Sequence, residues 1–451
     1  MGSARSRLRL DEARSDAQQL RSEYCAWRTQ WDSSPLAPSH LTHLKTLDGV
    51  IGGLIDDVDK RLQAAEPLAV AATAGEMYEA CRAVDVSLLY TRRLWRYYGD
   101  KLDQRLQKDD AQLPLKAADE VVWSTWKGLL TAVGLPVPPA PLPYIAPLES
   151  ASAAPPEAFP SDLRTGDERL KQLCDAMPIP VIAFGPSCRV RPWWLVLIAH
   201  ETGHHIQFSR RIQAATADAF RAAVLAEGGD SECADRWASW SKECFADAIS
   251  VAAVGAAALW SIAELEERTD ARLGEAKGAY PPPSQRLALL AAVAAKLGIP
   301  RPEWLETAAQ HALEVSTPPG SPPSNLIDGL ADAVLGLDLG AGKSIATLRQ
   351  LTAAQFAVAG PADRWRNAFL APDDPSPTHE IESARLCIAG GVGAAATADA
   401  TVRETIARRL VTVLPRCGPT ATRAVDPMAE PDVTRALDSV QAALNAFGDS
   451  A

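Results

Sequence analysis

The sequence predicts a mainly α fold, an α+β arrangement in which helices dominate and the sheet is minimal. Apolar residues recur at three- and four-residue spacing over long stretches, which places them on one face of a helix. A single short apolar run, IPVIAFGPS at 179–187, reads as a strand bounded by Pro180 and Gly185. Two proline-rich breaks, at 135–160 and 316–324, separate the helical stretches.

With 451 residues, 47% hydrophobic and 22% charged, the chain is long enough for two or three domains, each with its own core. Residues 1–134 read as a helical N-terminal domain, with Leu41, Leu44, Leu47, Ile51, Leu54, Ile55, Val58 and Leu62 on one face. Pro35, Pro38, Pro67 and Pro114 punctuate it, and proline is poorly tolerated inside helices, so a bundle of three or four helices is expected. Trp27, Trp31, Trp95, Trp123 and Trp126 are expected as core or groove residues, with a recognition surface as the alternative for some of them. Residues 135–160 hold too much proline for a helix or a central strand and read as a linker or surface strap. In 161–315 helical patterns follow the strand, at 192–210, 213–226, 232–267, 284–297 and 302–315. Residues 316–451 read as a C-terminal helical region that includes Val402–Leu414 and Val433–Phe447.

Lys and Arg number 45 against 56 Asp and Glu, a net charge of −11, the wrong sign for gripping phosphate backbones. Nucleic acid is therefore not expected as a partner. The basic start, MGSARSRLRLDEARSDAQQL, lacks the apolar stretch of a secretory signal. The uncharged run from Ala248 to Ala263 is shorter than the roughly 20 residues of a membrane span and reads as a buried helix. Eight scattered cysteines, no two separated by only two residues, fit neither a disulfide framework nor a thiolate metal knuckle. A cytoplasmic protein with buried free thiols and no membrane span is the expectation.

The informative stretch is PWWLVLIAHETGHHIQF at 192–208, where His200, Glu201 and His204 stand in the spacing HExxH. Two histidines four apart share a helix face, so both imidazoles can converge on one metal ion, while Glu201 projects to the side toward a water on that metal. With 7 His and 56 acidic residues in the chain, chance supplies about 0.013 such matches. The preceding turns, Leu195 to Ala199, are apolar all round, as in a buried helix, and buried His and Glu side chains need partners.

A catalytic metal takes three protein ligands and keeps a position open. A third histidine six residues after His204 is excluded, because that residue is Arg210. Downstream, WASWSKECFADAISV offers Glu243 and Asp247 on one helix face, Glu243 to bind the metal and Asp247 to accept the other ring proton of a histidine ligand. Their neighbours Phe245, Ala246, Ala248 and Ile249 are apolar, and ionised carboxylates in such a setting need a cation.

HETGHH with ECFADA resembles the gluzincin class of zinc metallopeptidases, in which an HExxH helix is followed by a helix carrying ExxxD. The resemblance covers about residues 178–290. It implies a zincin-like core with one zinc ion per chain on His200, His204 and Glu243, Glu201 as general base and Asp247 behind the ligands. It also implies that Val181, Ile182, Ala183 and Phe184 form an edge strand that pairs with the backbone of a protein or peptide substrate. The gap from His204 to Glu243 is longer than in the thermolysin-like branch. A closer analogue is the membrane-linked branch with a third motif HPPxxxR, which here reads YPPPSQR, Tyr280 to Arg286. Arg286 would pair with an acid of the site or support the oxyanion, to which Tyr280 would donate a hydrogen bond. A rival, THEIESAR, sets His379 and Arg385 at the same offset without the prolines.

His205 points about 100° away from its neighbour His204 and reads as structural. GAGKS at 340–344 has Leu337 where a phosphate loop needs its first glycine, so nucleotide binding is not expected. The functional expectation is a selective zinc metallopeptidase. The alternative is a non-catalytic helical adaptor with a structural or vestigial zinc, its helical flanks recognising a regulatory protein.

Overall fold

The structure, a computed structural model, describes residues 2–71, 73–107, 112–146, 152–154, 168–266, 275, 276, 278, 280–307, 324–376, 383–418 and 432–449. The chain runs through α1 (Gly2–Asp32), α2 (Leu41–Ala65), the single turn α3 (Leu68–Ala71), α4 (Ala74–Asp103), α5 (Gln112–Ala132), β1 (Leu142–Ile145), β2 (Ser152–Ala154), α6 (Glu168–Asp175) and β3 (Val181–Phe184). It continues through α7 (Ile198–Ser209), α8 (Gln213–Ala226), α9 (Ser231–Val254), α10 (Ala256–Glu266) and α11 (Pro283–Lys296). There follow α12 (Ser324–Gly336), α13 (Arg349–Phe356), α14 (Pro361–Leu370), α15 (Ser383–Ala396), α16 (Ala400–Val413) and α17 (Val433–Asp449). The fold is mainly α, and no helix among the described residues is long and apolar enough to cross a membrane. All eight cysteines are free.

The chain divides into two compact units, each assembled from separated segments. One comprises Met1–Asp103, Pro156–Pro180 and Ala421–Ala451, the other Gln104–Pro155 and Val181–Thr420. The sequence boundary at 134 thus falls inside the second unit, and residues 421–451 join the first.

In the first unit, α1 buries Leu10, Ala13, Ala17, Leu20, Tyr24, Trp27 and Trp31. Helix α4 buries Met77, Cys81, Val84, Leu88, Thr91, Trp95, Tyr98 and Leu102. Both runs alternate steps of three and four, the seam spacing of helices packed as in a coiled coil. The indole N–H groups of Trp27 and Trp31 both donate to Asp103 Oδ1, each at 2.8 Å. Helix α17 seats on glycines of α2: a Cβ on Gly49 would lie 2.2 Å from Val433, and one on Gly53 2.4 Å from Leu437.

In the second unit, α5, α7, α9 and α15 pack around a buried core, and Trp123 and Trp126 of α5 lie inside it. Three strands form the sheet in the order β1-β3-β2. Strand β1 pairs with β3 in parallel, Leu142 opposite Val181 and Ile145 opposite Phe184. Strand β2 pairs with it antiparallel, Ser152 opposite Ala183 and Ala154 opposite Val181.

Two expectations are corrected here. The proline-rich stretch supplies both β1 and β2, because Pro143 sits on an outer strand where its missing N–H costs no ladder bond. Consequently β3 is the central strand, and Val181, Ile182, Ala183 and Phe184 have no free edge for a substrate backbone. The far side of β1 is closed by side chains. Gln104 donates to the Ile145 carbonyl and accepts from its N–H, both at 2.9 Å, and Arg105 Nη2 donates to the Pro143 carbonyl at 2.6 Å.

The helix expected over 232–267 is broken at Gly255, which has φ +60° and where a Cβ would meet the Phe356 ring at 2.6 Å. In the segment expected as one helix from 192, the first turns, Pro192–Leu197, are 3₁₀ before α7 begins.

Arg105 is fully buried and binds Asp119 through Nε at 2.9 Å and Nη2 at 2.7 Å. Asp119→Ala would remove both of these charge-assisted bonds from a buried guanidinium, so a loss of about 3–5 kcal/mol is expected in urea unfolding. A loss below about 1 kcal/mol would contradict the role assigned to the pair.

Candidate metal centre

The site is built where α7 crosses α9. At the crossing, a Cβ on Gly203 would stand 2.8 Å from Ala246 Cα and 3.0 Å from its carbonyl oxygen, closer than side chains approach backbone. Glycine inside a helix costs about 1 kcal/mol relative to alanine. Here the missing Cβ lets the two backbones meet, so His200 and His204 on α7 reach Glu243 and Asp247 on α9.

Helix α9 is started by Asp230, whose side chain accepts from the Cys233 N–H at 2.7 Å. Its later turns, from Trp237 onward, are largely buried, which carries Glu243 and Asp247 into the core.

Glu243 Oε2 lies 3.3 Å from His200 Nε2 and 3.2 Å from His204 Nε2. Among the described residues it accepts no hydrogen bond of good geometry. Ligand atoms of a tetrahedral metal with bonds of about 2.0–2.1 Å stand roughly 3.3 Å apart. The donor set of two imidazoles and one carboxylate therefore fits, and His200, His204 and Glu243 could hold a metal ion. All three are buried, at 6%, 6% and 7% exposure, and burial without a cation is costly for such groups.

Behind the ligands stands Asp247, 2% exposed. Its Oδ1 lies 2.8 Å from His200 Nδ1, which makes Nδ1 the protonated nitrogen and leaves Nε2 for a metal. Arg286 holds the same carboxylate in two places, Nε to Oδ2 at 2.7 Å and Nη2 to Oδ1 at 2.9 Å. Of the two roles expected for Arg286, the structure shows the pairing with an acid. Its other nitrogen is 3.7 Å from Glu266 Oε1, and Tyr280 places its ring 4.9 Å from the guanidinium carbon.

The electrostatics follow from these contacts. Burial disfavours the charged form of His200, but the charge and hydrogen bond of Asp247 outweigh it and hold the imidazole up at about 10. Burial alone would raise Asp247, yet Arg286 and His200 hold it down at about 2. Glu243 is likewise held well below the carboxylate range by the two imidazoles against the pull of burial. Burial, and then the charge of Glu243, push the Tyr280 phenol up, so it keeps its proton and is a donor at neutral pH. Burial presses His205 down to about 3, and its neutral ring donates from Nε2 to the Val181 carbonyl at 3.0 Å, joining α7 to β3.

The structure brings His200, Glu201, His204, Glu243, Asp247, Tyr280 and Arg286 into one region of the second unit. The rival pair does not supply a comparable group: Arg385 donates to the Ala253 carbonyl at 2.6 Å and to Gln355 at 2.7 Å, and His379 lies outside the described residues. Sequence reasoning missed Gly203, Glu266 and the Trp240 indole, which donates to the Gly278 carbonyl at 3.3 Å just before Tyr280. A glycine in the middle of HETGHH, costly in a helix unless something must come close, was the signal for the first. Compared with protein-family models, curated proteins and solved structures, the chain matches none.

Two outcomes are expected. Gly203→Val should push α7 off α9, costing about 1–3 kcal/mol and lowering metal content well below that of the parent protein. Calorimetric melting and elemental analysis would show it, and full metal loading in the variant would count against the crossing. Because His200 carries its proton below about pH 10 without metal, a metal must displace that proton. Metal affinity should therefore rise about tenfold per unit from roughly pH 7 to 9, read by competition with a chelating dye. A flat profile would show that His200 is already neutral at pH 7 without metal and would overturn its raised value.

Proposed function

We propose that this site belongs to a zinc-dependent peptidase that works as gluzincins do, with zinc on His200, His204 and Glu243. The observation that carries the reading is the spacing of Glu243 Oε2, 3.3 and 3.2 Å from the two Nε2 atoms, with Glu201 next in sequence to the first ligand. When bound, zinc supplies a Lewis acid that polarises a carbonyl and makes a water acidic near neutral pH. Glu201 is the carboxylate that takes the proton from the attacking water and returns it to the leaving amine. Tyr280, protonated at neutral pH, donates to the oxygen of the carbonyl under attack. Asp247 holds His200 in the ligating tautomer, and Arg286 holds Asp247.

A structural metal would have no use for Glu201, 7% exposed and adjacent to a ligand, and this favours the enzyme over the adaptor. The substrate class under this reading is a protein or peptide.

Elemental analysis should find about one zinc per chain in the parent and in Glu201→Gln, and little in Glu243→Ala. Glu201→Gln should lose about 10²–10⁴-fold in peptide hydrolysis while keeping its metal. Full activity in that variant would sink the mechanism. Melting of the second unit on chelation, with no hydrolysis to lose, would transfer the site to the adaptor reading.

A further inference from the structure

A cavity of about 930 Å³ opens in the second unit beside the turn that leads into α7, and none of its lining residues is a ligand of the metal centre. Trp194 and Trp260 form one wall, their rings stacked at 5.4 Å and 28°, with Trp193 alongside. Four arginines line it, Arg189 and Arg191 before Pro192 and Arg403 and Arg408 on α16, against two carboxylates, Glu264 and Glu404. In a chain of net charge −11, this hollow is locally cationic.

The arginines are not equally engaged. Arg403 donates to the carbonyls of Ala395 and Ala396 at 2.7 and 3.2 Å, and Arg408 to Thr405 at 3.3 Å. Arg189 and Arg191 are exposed and form no ion pair with any described residue. In the wall, the buried Trp260 indole N–H has no acceptor among the described residues. A hollow of this size suits a small ligand, tryptophan faces suit a planar ring, and uncommitted guanidinium groups suit a carboxylate or phosphate.

We propose that this cavity binds a small planar aromatic anion, its ring against the tryptophans and its phosphate or carboxylate held by Arg189 and Arg191. The proposal concerns binding alone and stands whether or not the metal centre hydrolyses peptides.

The test is isothermal titration of the full chain with two probes, adenosine monophosphate for the phosphate source and indole-3-acetate for the carboxylate source. At least one should bind with one-to-one stoichiometry. That binding should weaken about tenfold or more in both Trp194→Ala and Arg191→Glu, and stay unchanged in Arg236→Glu, a surface control on α9. Binding of only one probe assigns the anion, and binding of both assigns ring plus charge. No binding of either at millimolar concentration, or binding that both cavity variants leave intact, would overturn the proposal. Should Trp194→Ala fail to fold, Arg191→Glu, a change at an exposed side chain, decides alone.

Discussion

The approach of α7 to α9 through Gly203 is the constraint on which the candidate centre depends. At Gly203 no side chain separates the backbone of α7 from that of α9, so residues beside the crossing and one turn before it on each helix meet directly rather than across a layer of packing. His200 and His204 bracket Gly203, and Glu243 and Asp247 bracket Ala246. Helical periodicity then turns one close contact into four converging side chains.

That convergence buries charge, which is unfavourable unless each group is answered. Asp247 answers in two directions, toward His200 and toward Arg286, and Arg286 in turn has Glu266 nearby. The result is a chain of alternating charge running from His200 through Asp247 and Arg286 to the partly buried Glu266. Each member is fixed by the next, so the His200 ring has a defined orientation before any metal arrives. Tyr280 is held at the outer end by its ring over Arg286, with the segment before it tied to α9 through Trp240.

Much of this was legible because it is local. The helical class follows from spacing, and the four residues of α7 and α9 follow from two short patterns whose periodicity places them on helix faces. Arg286 was legible as a participant, but its choice of Asp247 over an open oxyanion position is a matter of distance in three dimensions. The strands of the proline-rich stretch were hidden because proline argues against strand, and only the place of β1 at the edge of the sheet, known from its pairing with β3, makes room for Pro143 there. The break at Gly255 depends on Phe356, a residue of another helix. The grouping of 421–451 with the N-terminal helices depends on Val433 and Leu437 filling the space over Gly49 and Gly53, which no window of sequence contains.

That last contact has a consequence for how the protein is made. A ribosome adds about 5–20 residues per second, and α17 is separated from the end of α4 by some 330 residues of chain, so it emerges on the order of tens of seconds later. Through that interval the glycine-lined groove of α2 stands open, its apolar flanks without their cover. The first unit therefore cannot finish folding while the second is being synthesised. Its long-range closure is also the slow kind, since chain ends far apart in sequence must find each other.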